Sequence, residues 1–260
     1  MMGAERLARI REAASENGFI SVREIMDMFQ VSRSSAMRDL DELEKEGFLI
    51  RRRGGGVLKE RATLLTPANE RPVVEKVKLQ DTAKKAIAQE AAKLLEDGQC
   101  IFLAGGTTIP WLVRELVRKN VTIVTPNTYL LEQLPDDYGG RVYLIGGDWQ
   151  NRYSMSYGPL ARAMVERFRF DIAFISCNGM EPESDVSVFD FGVGDVKKAA
   201  MEKAARSVLL ADSTKYASKA MCVFADASDF DAIYTDRYPL DDIPDNVILC
   251  ESEEKKDENE

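Results

Sequence analysis

The sequence predicts an α/β protein in two parts: an N-terminal winged helix-turn-helix, then a Rossmann-like, mostly parallel α/β domain. Three observations predict it. Residues 21–58 read as two short helices and a basic, glycine-ended ribbon. From 100 to 249, eight apolar strand runs are separated at several points by amphipathic helical stretches. Glycines, hydroxyl residues, amides and ammonium groups gather where those runs end, as ligand sites do at the carboxyl ends of parallel strands.

Ser21 and Glu24 have capping-box spacing, which starts a helix running to about Phe29. Val31-Ser32 makes a tight turn and Ser32 caps a second helix. On that helix Ala36, Leu40 and Leu43 share one face, with Ser34, Arg38, Asp41 and Lys45 opposite, and Gly47 stops it. Phe48-Leu49-Ile50 begins a strand, Arg51-Arg52-Arg53 charges it, and Gly54-Gly55-Gly56 turns it back into Val57-Leu58. Each piece alone occurs in many folds, and three arginines are commonly a solvated run. No Gly-Lys-Ser/Thr follows the glycines, which argues against a nucleotide loop. The order of the pieces points to double-stranded DNA. Ser32, Arg33, Ser34, Ser35, Met37 and Arg38 lie toward the major groove, while Arg51, Arg52, Arg53 and Gly54 follow the phosphate backbone.

A net charge of −9 looks wrong for such a partner. Its distribution resolves part of the conflict: residues 51–61 carry five cations against Glu60, and 251–260 carry six acids against two lysines. The tail 251–260 reads as disordered, and the local field at the contact face matters more than the sum. At 260 residues the chain exceeds one ordinary domain. The division reads as 1–58 for the winged helix-turn-helix, 59–78 for a linker punctuated by Thr66-Pro67 and Arg71-Pro72, 79–250 for effector binding and oligomerisation, and then the tail. Charges from Glu5 to Arg11 leave no room for an apolar signal core, and no apolar run reaches membrane-spanning length. Cys100, Cys177, Cys222 and Cys250 lack metal-ligand spacing and read as reduced thiols. A cytoplasmic protein with no metal, no cofactor and no membrane partner is expected.

In the second part, 80–96 reads as a helix with Ala83, Ile87, Ala91 and Leu94 on one face. Strand runs follow at Cys100–Leu103, Val121–Val124, Val142–Ile145, Ile172–Ser176, Val208–Ala211, Met221–Phe224, Ala232–Tyr234 and Val247–Leu249, with helices at 109–119, 159–168 and 194–206. Leu103-Ala104-Gly105-Gly106-Thr107-Thr108 leaves a strand for a helix. Its glycines let N–H groups approach an anion, the threonines add hydroxyls, and the helix N-terminus adds positive partial charge. An unliganded βα loop is the plain alternative. Other strand ends tip the balance: Thr125-Pro126-Asn127, Gly146-Gly147, Cys177-Asn178-Gly179 and Asp212-Ser213-Thr214-Lys215, with Asp195-Val196-Lys197 opening a late helix. Gly105, Gly106, Thr107 and Thr108 are the expected phosphate cradle. Lys197 and Lys215 supply ammonium groups, and Thr125, Asn127, Gly146, Gly147, Asn178, Asp195 and Asp212 complete the rim.

These motifs resemble the DeoR family of bacterial transcriptional repressors. The N-terminal segment resembles its V-S-x-x-T-[IV]-R-R-D-L, L-x-x-x-G and R-x-H-G-G-A pattern through Val31-Ser32, Arg38-Asp39-Leu40, Leu43, Gly47, Arg51 and Gly54-Gly55. It departs at Ser35, Met37, Arg53 and Gly56. The stretches IFLAGGTT, TIVTPN, VYLIGG, RFDIAFISCNGM, DVKKAAM and LLADSTKY resemble its sensor domain, whose fold is similar to ribose-phosphate isomerases and glucosamine-phosphate deaminases. Departures there are Ile109 for a frequent third threonine, Ala104-Gly105 for Asp-Ser or Asp-Gly, and Pro110, which removes an N–H from the first turn. The resemblance implies operator DNA and a phosphorylated sugar or related metabolite as partners. It also implies a homodimer or homotetramer, and control of carbohydrate uptake or catabolism genes. An isomerase or deaminase is the alternative. It needs a general base, and the chain has no histidine, leaving Glu181 and Asp195 as conceivable bases. A constitutive DNA binder whose second domain only oligomerises is the third reading.

Overall fold

Ile10, Ala14, Ile20, Ile25, Ala36, Leu40, Leu43 and Leu49 close one small core at the N-terminal end of the chain. A computed structural model describes residues 3–52, 54–59, 64–77, 79–116, 119–182, 184–240 and 242–251. Arg53 of the wing and residues 252–260 of the acidic tail lie outside the described residues. The small core is built by α1 (Gly3–Asn17), β1 (Phe19–Ser21), α2 (Val22–Phe29), α3 (Arg33–Lys45), β2 (Leu49–Arg52) and β3 (Gly55–Leu58). Elements α1 and β1 are additions to the sequence expectation. The capping box forms as expected: Glu24 N–H donates to Ser21 Oγ at 3.0 Å, and Ser21 N–H donates to Glu24 Oε2 at 2.8 Å. Ser32 caps α3, and Gly47 follows its end with φ +73°.

The three wing glycines do not act alike. Gly54 alone among them has positive φ, +82°. Gly55 and Gly56 are not turn residues. They lie inside β3, which pairs antiparallel with both β1 and β2. A side chain on Gly55 would collide with the backbone of Ile20, and one on Gly56 would meet Leu49 at 2.8 Å. Glycine there serves close approach of chains rather than turning.

The second part is a seven-stranded sheet of order β15-β14-β12-β9-β4-β5-β6, parallel throughout. Its strands are β4 (Cys100–Leu103), β5 (Thr122–Thr125), β6 (Arg141–Leu144), β9 (Phe170–Ile175), β12 (Ala204–Leu210), β14 (Ala232–Thr235) and β15 (Val247–Leu249). Alternate residues bury on opposite faces. Ile101 and Leu103 pack beneath α5 (Asp81–Ala91), α6 (Ile109–Leu116) and α7 (Thr128–Leu131). Phe102 joins the other layer, with the hairpin of β7 (Asp148–Gln150) and β8 (Met155–Tyr157), α8 (Pro159–Val165) and α9 (Phe191–Glu202). Among the described residues no helix is long and apolar enough to cross a membrane. All four cysteines are free.

Three segments depart from the sequence expectation. The Met221–Phe224 run is not part of the parallel sheet. It begins β13 (Cys222–Asp226), which pairs antiparallel with β11 (Asp185–Val188) in a small sheet that also holds β10 (Gly179–Met180). The late helix starts at Phe191, not at 194, because Asp190 caps it by accepting from the N–H groups of Gly192 and Val193. Segment 59–78 is not a bare connector. Its residues 64–77 lie as a strap on the second part: Leu65 exchanges backbone hydrogen bonds with Lys219 and Met221 at 2.8 Å, and α4 (Val73–Lys76) buries Val73.

Strand order explains where a site is possible. From β4 the chain moves one way to β5 and β6, then returns to β9 on the other side of β4 and continues outward. The loops after β4 and β9 therefore diverge at the switch point of the sheet, leaving a crevice beyond the carboxyl ends of these two strands.

Candidate functional site

Two surfaces carry the chemistry. The first is the outer face of α3. Arg33, Ser34, Met37 and Arg38 are exposed opposite the buried Ala36, Leu40 and Leu43. Ser32 Oγ accepts from Ser35 N–H at 3.3 Å and lies 3.0 and 3.1 Å from the hydroxyls of Ser34 and Ser35. Beneath this face Asp39 is buried and takes a two-point bond from Arg6, with Nε at 2.6 Å and the second nitrogen at 2.8 Å. The pair ties α1 to α3. Sequence spacing gives no sign of it, since the partners are 33 residues apart.

Arg51 is placed otherwise than expected. It folds back over α3 instead of standing off the wing. Its guanidinium lies 3.3 Å from Asp41 Oδ1, 3.0 Å from Met37 Sδ and 3.3 Å from Gly55 O, and its N–H donates to Glu44 Oε1 at 2.8 Å. These contacts make it a brace between wing and helix. Arg52 is exposed, beside the turn at Gly54.

The second surface is the crevice at the switch point. Gly105, Gly106, Thr107 and Thr108 line it from β4, Ser176, Cys177 and Asn178 from β9, Lys197 from α9, and Lys215 from the turn after β12. Both glycines are required by geometry. A side chain on Gly105 would meet Met155 Sδ at 2.7 Å. One on Gly106, whose φ is +118°, would meet Ser176 Oγ at 2.7 Å. The loop leads into α6, so its N–H groups lie at a helix N-terminus, suited to an anion. Lys197 is buried and donates to Ser176 O at 2.5 Å and Ser176 Oγ at 3.1 Å. Asn178 donates to the buried Glu70 at 2.9 Å.

The strap closes this crevice, and it supplies what the sequence left out. Glu70 and Lys76 pair with each other, and Lys84 at the start of α5 donates to the carbonyls of Lys76 and Leu79. Tyr153 Oη donates to Pro67 O at 2.9 Å and holds the strap down. The charged side chains lining the crevice and its mouth are Arg71, Lys76, Lys84, Lys197 and Lys215 against Glu70 and Asp212. Burial pushes the ammonium groups of Lys84 and Lys197 down to about 8 and lowers that of Lys76. Burial works to raise the Asp212 carboxyl, but Lys215 and the Thr214 hydroxyl more than offset it. Burial also pushes the Cys177 thiol up to about 12, which leaves it unreactive. Among the described residues, five cations stand around two carboxylates, an excess of positive charge.

Four of the sequence candidates stand elsewhere. Asp195 is bound to Arg162 at 3.0 Å on the side of α9 that faces α8. Gly146 and Gly147 are exposed beyond β6, beside Met164 and Ala161 of α8. The fourth, Thr125, is fully buried and donates to Leu103 O at 2.7 Å, locking β5 to β4. Asn127 braces the loop from behind, donating to Gly106 O at 3.3 Å while capping α7.

Residues 79–237 match the family model for the DeoR C-terminal sensor domain, and residues 6–62 match that for the DeoR-like helix-turn-helix domain. The HTH-type transcriptional regulator GlpR of Haloferax volcanii is 30% identical over 236 residues, covering 91% of each chain. The HTH-type transcriptional repressor GlcR of Bacillus subtilis is 28% identical over 264 residues, 99% of this chain and 100% of that one. The lactose phosphotransferase system repressor of Streptococcus mutans is 31% identical over 239 residues, 91% of this chain and 93% of that one. Both matched modules stand in the same order along one chain, and the likeness runs nearly end to end. The protein belongs to the DeoR family of DNA-binding transcriptional regulators.

Proposed function

We propose that the protein is a cytoplasmic repressor of carbohydrate uptake or catabolism genes, whose hold on operator DNA is set by a phosphorylated sugar or related metabolite in the switch-point crevice. The observation that carries this is the charge of the pocket. Gly105–Thr108 present backbone and hydroxyl donors at the start of α6, and Lys76, Lys197 and Lys215 face them in excess of the carboxylates. A phosphate dianion supplies the missing negative charge. Buried Glu70 and Asp212 remain to accept from sugar hydroxyls. The repressor names of GlcR and the lactose phosphotransferase system relative support the same reading.

Catalysis fits poorly. Of the two bases the sequence offered, Asp195 is bound to Arg162 and Glu181 to Lys219, and neither lines the crevice.

Paired DNA half-sites call for paired reading heads. The edge of the sheet offers a surface for a second copy of this chain. Leu160 and Phe191 are 70% and 71% exposed, and Leu144, Trp149 and Met164 are exposed around them. Strand β6 beside them is an edge strand.

A thermal-shift screen of phosphorylated sugars tests the function directly, because a ligand selective for the folded state raises its melting temperature. A hit that also changes operator affinity supports the reading. Turnover of the hit would replace it with the isomerase alternative.

A further inference from the structure

The two halves of the molecule touch through the same short turn that lines the crevice. Phe19 of β1 and Val57 of β3 are buried, yet they lie apart from the helix-turn-helix core and form a cluster of their own. What faces them is the second part: Tyr216, Ser218, Lys219, Pro239 and Leu240 line the same groove. Leu240 and Pro239 O also reach Gly54 at the wing turn, within 3.0 Å of where a side chain on it would sit.

A continuous set of bonds runs from crevice to reading head. Asp212 and Lys215 line the crevice at its mouth. Between them, Ser213 donates to Asp236 twice, N–H to Oδ1 at 2.6 Å and Oγ to Oδ2 at 2.9 Å. The next residue, Arg237, donates to Glu24 Oε1 at 3.1 Å. Glu24 is the capping-box residue of α2, and its other oxygen accepts from Ser21 N–H at 2.8 Å. The Arg237–Glu24 pair is partly exposed, with side chains 37% and 30% accessible. Such a pair is individually weak, so small movements of the turn are enough to make or break it.

We propose that Asp212–Lys219 with Asp236–Arg237 is the element that couples crevice to DNA-reading head, and that Arg237 transmits its position through the Glu24 cap of α2. This rests on the crevice being the effector site. An anion drawing Lys215 inward shifts the turn, and Ser213 carries Asp236 with it. The docking of Arg237 on Glu24 then differs between filled and empty crevices. Arg237 is a positioning residue: among the described residues it is not part of the crevice lining.

Hydrogen–deuterium exchange of the full chain, with and without inorganic phosphate at millimolar concentration, tests this. In the native protein phosphate slows exchange over 100–108 and changes exchange in α2 by about fivefold or more, the lower end of ordinary coupling strengths. In Arg237→Gln the slowing over 100–108 persists, and the change in α2 falls below about twofold. Glu24→Gln does the same, since glutamine keeps the capping box and removes only the charge. If α2 responds equally in these variants, or does not respond in the native protein while 100–108 is protected, the coupling route is wrong and the crevice reading stands. If 100–108 shows no protection, the crevice reading fails and takes this proposal with it.

Discussion

Lys197 is bonded to both the carbonyl and the hydroxyl of Ser176, and that hydroxyl in turn donates to Gly105 O at 2.5 Å. One ammonium group is thus held against the anchor of the glycine loop. Its burial at 4% exposure is costly, since a pKa pushed from about 10.4 to about 8 corresponds to roughly 3 kcal/mol at neutral pH. Replacing Lys197 with Met removes that cost along with the bonds. We expect the ligand-free protein to melt within a few degrees of native, or higher, while affinity for a phosphorylated sugar falls at least about tenfold. Calorimetric titration beside a melting curve checks both. A large loss of stability with affinity retained would make Lys197 a structural residue only.

The same lysines set a pH dependence. For Lys84 and Lys197 the folded pKa, about 8, lies below the unfolded value of about 10.4. The folded state therefore binds fewer protons between these values, and the burial cost is present in full below pH 8 and released as pH rises through that window. Anion affinity moves the opposite way, because neutral amines attract no phosphate. From pH 7 to pH 9 it should fall roughly tenfold at constant ionic strength. An affinity that is flat or rising over this range would place the anion away from both lysines.

The DNA face separates three arginines by role. Arg38→Ala, on the exposed face of α3, should cost on the order of 1–3 kcal/mol at the operator if it reads a base. Arg52→Ala should weaken all sequences alike and lower the salt slope by about one unit. Arg51→Ala should act through structure. It frees the wing from Asp41 and Met37, costs up to about 1 kcal/mol of stability, and weakens DNA binding with little change of slope. Electrophoretic titrations at several salt concentrations distinguish them. An Arg51 variant that lowers the slope by one unit with its stability untouched would return that residue to the phosphate contacts.

The exposed apolar edge makes a simple test of assembly. Leu160→Glu places a charge among the exposed apolar side chains of α8 and α9, which include Leu160, Met164 and Phe191. Sedimentation should show the native chain as a dimer or larger and this variant as a smaller species with unchanged melting of the isolated subunit. A variant that sediments like the native chain would move the interface elsewhere.

Most of the fold was legible because the inner parallel strands carry apolar stretches such as Ile101–Leu103, Ile172–Ile175 and Val208–Leu210, as burial on both faces demands, and because the caps at Ser21 and Ser32 are local. The glycine loop was legible because glycines, threonines and helix start are consecutive, although the contacts with Met155 and Ser176 that demand the glycines are not local. What escaped depends on rotation about a helix or on distance. Asp195 and Lys197 are two residues apart, so they point to different sides of α9, and only Lys197 reaches the crevice. The Asp190 cap that fixes where that helix begins went unread. Glu70 and Lys76 belong to a stretch whose charges resemble any solvated connector, and Lys84 to the first turn of a helix; the burial of Glu70 and Lys84 and the Glu70–Lys76 pair follow from the way the strap lies on the second part.

The most direct test is a titration of operator-bound protein with the phosphorylated sugar that the thermal screen identifies, comparing native chain with Gly106→Asp by fluorescence anisotropy. The substitution puts a carboxylate where the anion sits and meets Ser176, while the reading helix α3 lies in the other part of the chain. Both should bind operator comparably, and only the native complex should change its affinity as the sugar phosphate is added. A mutant that folds, binds operator and still responds at the same effector concentration would contradict it.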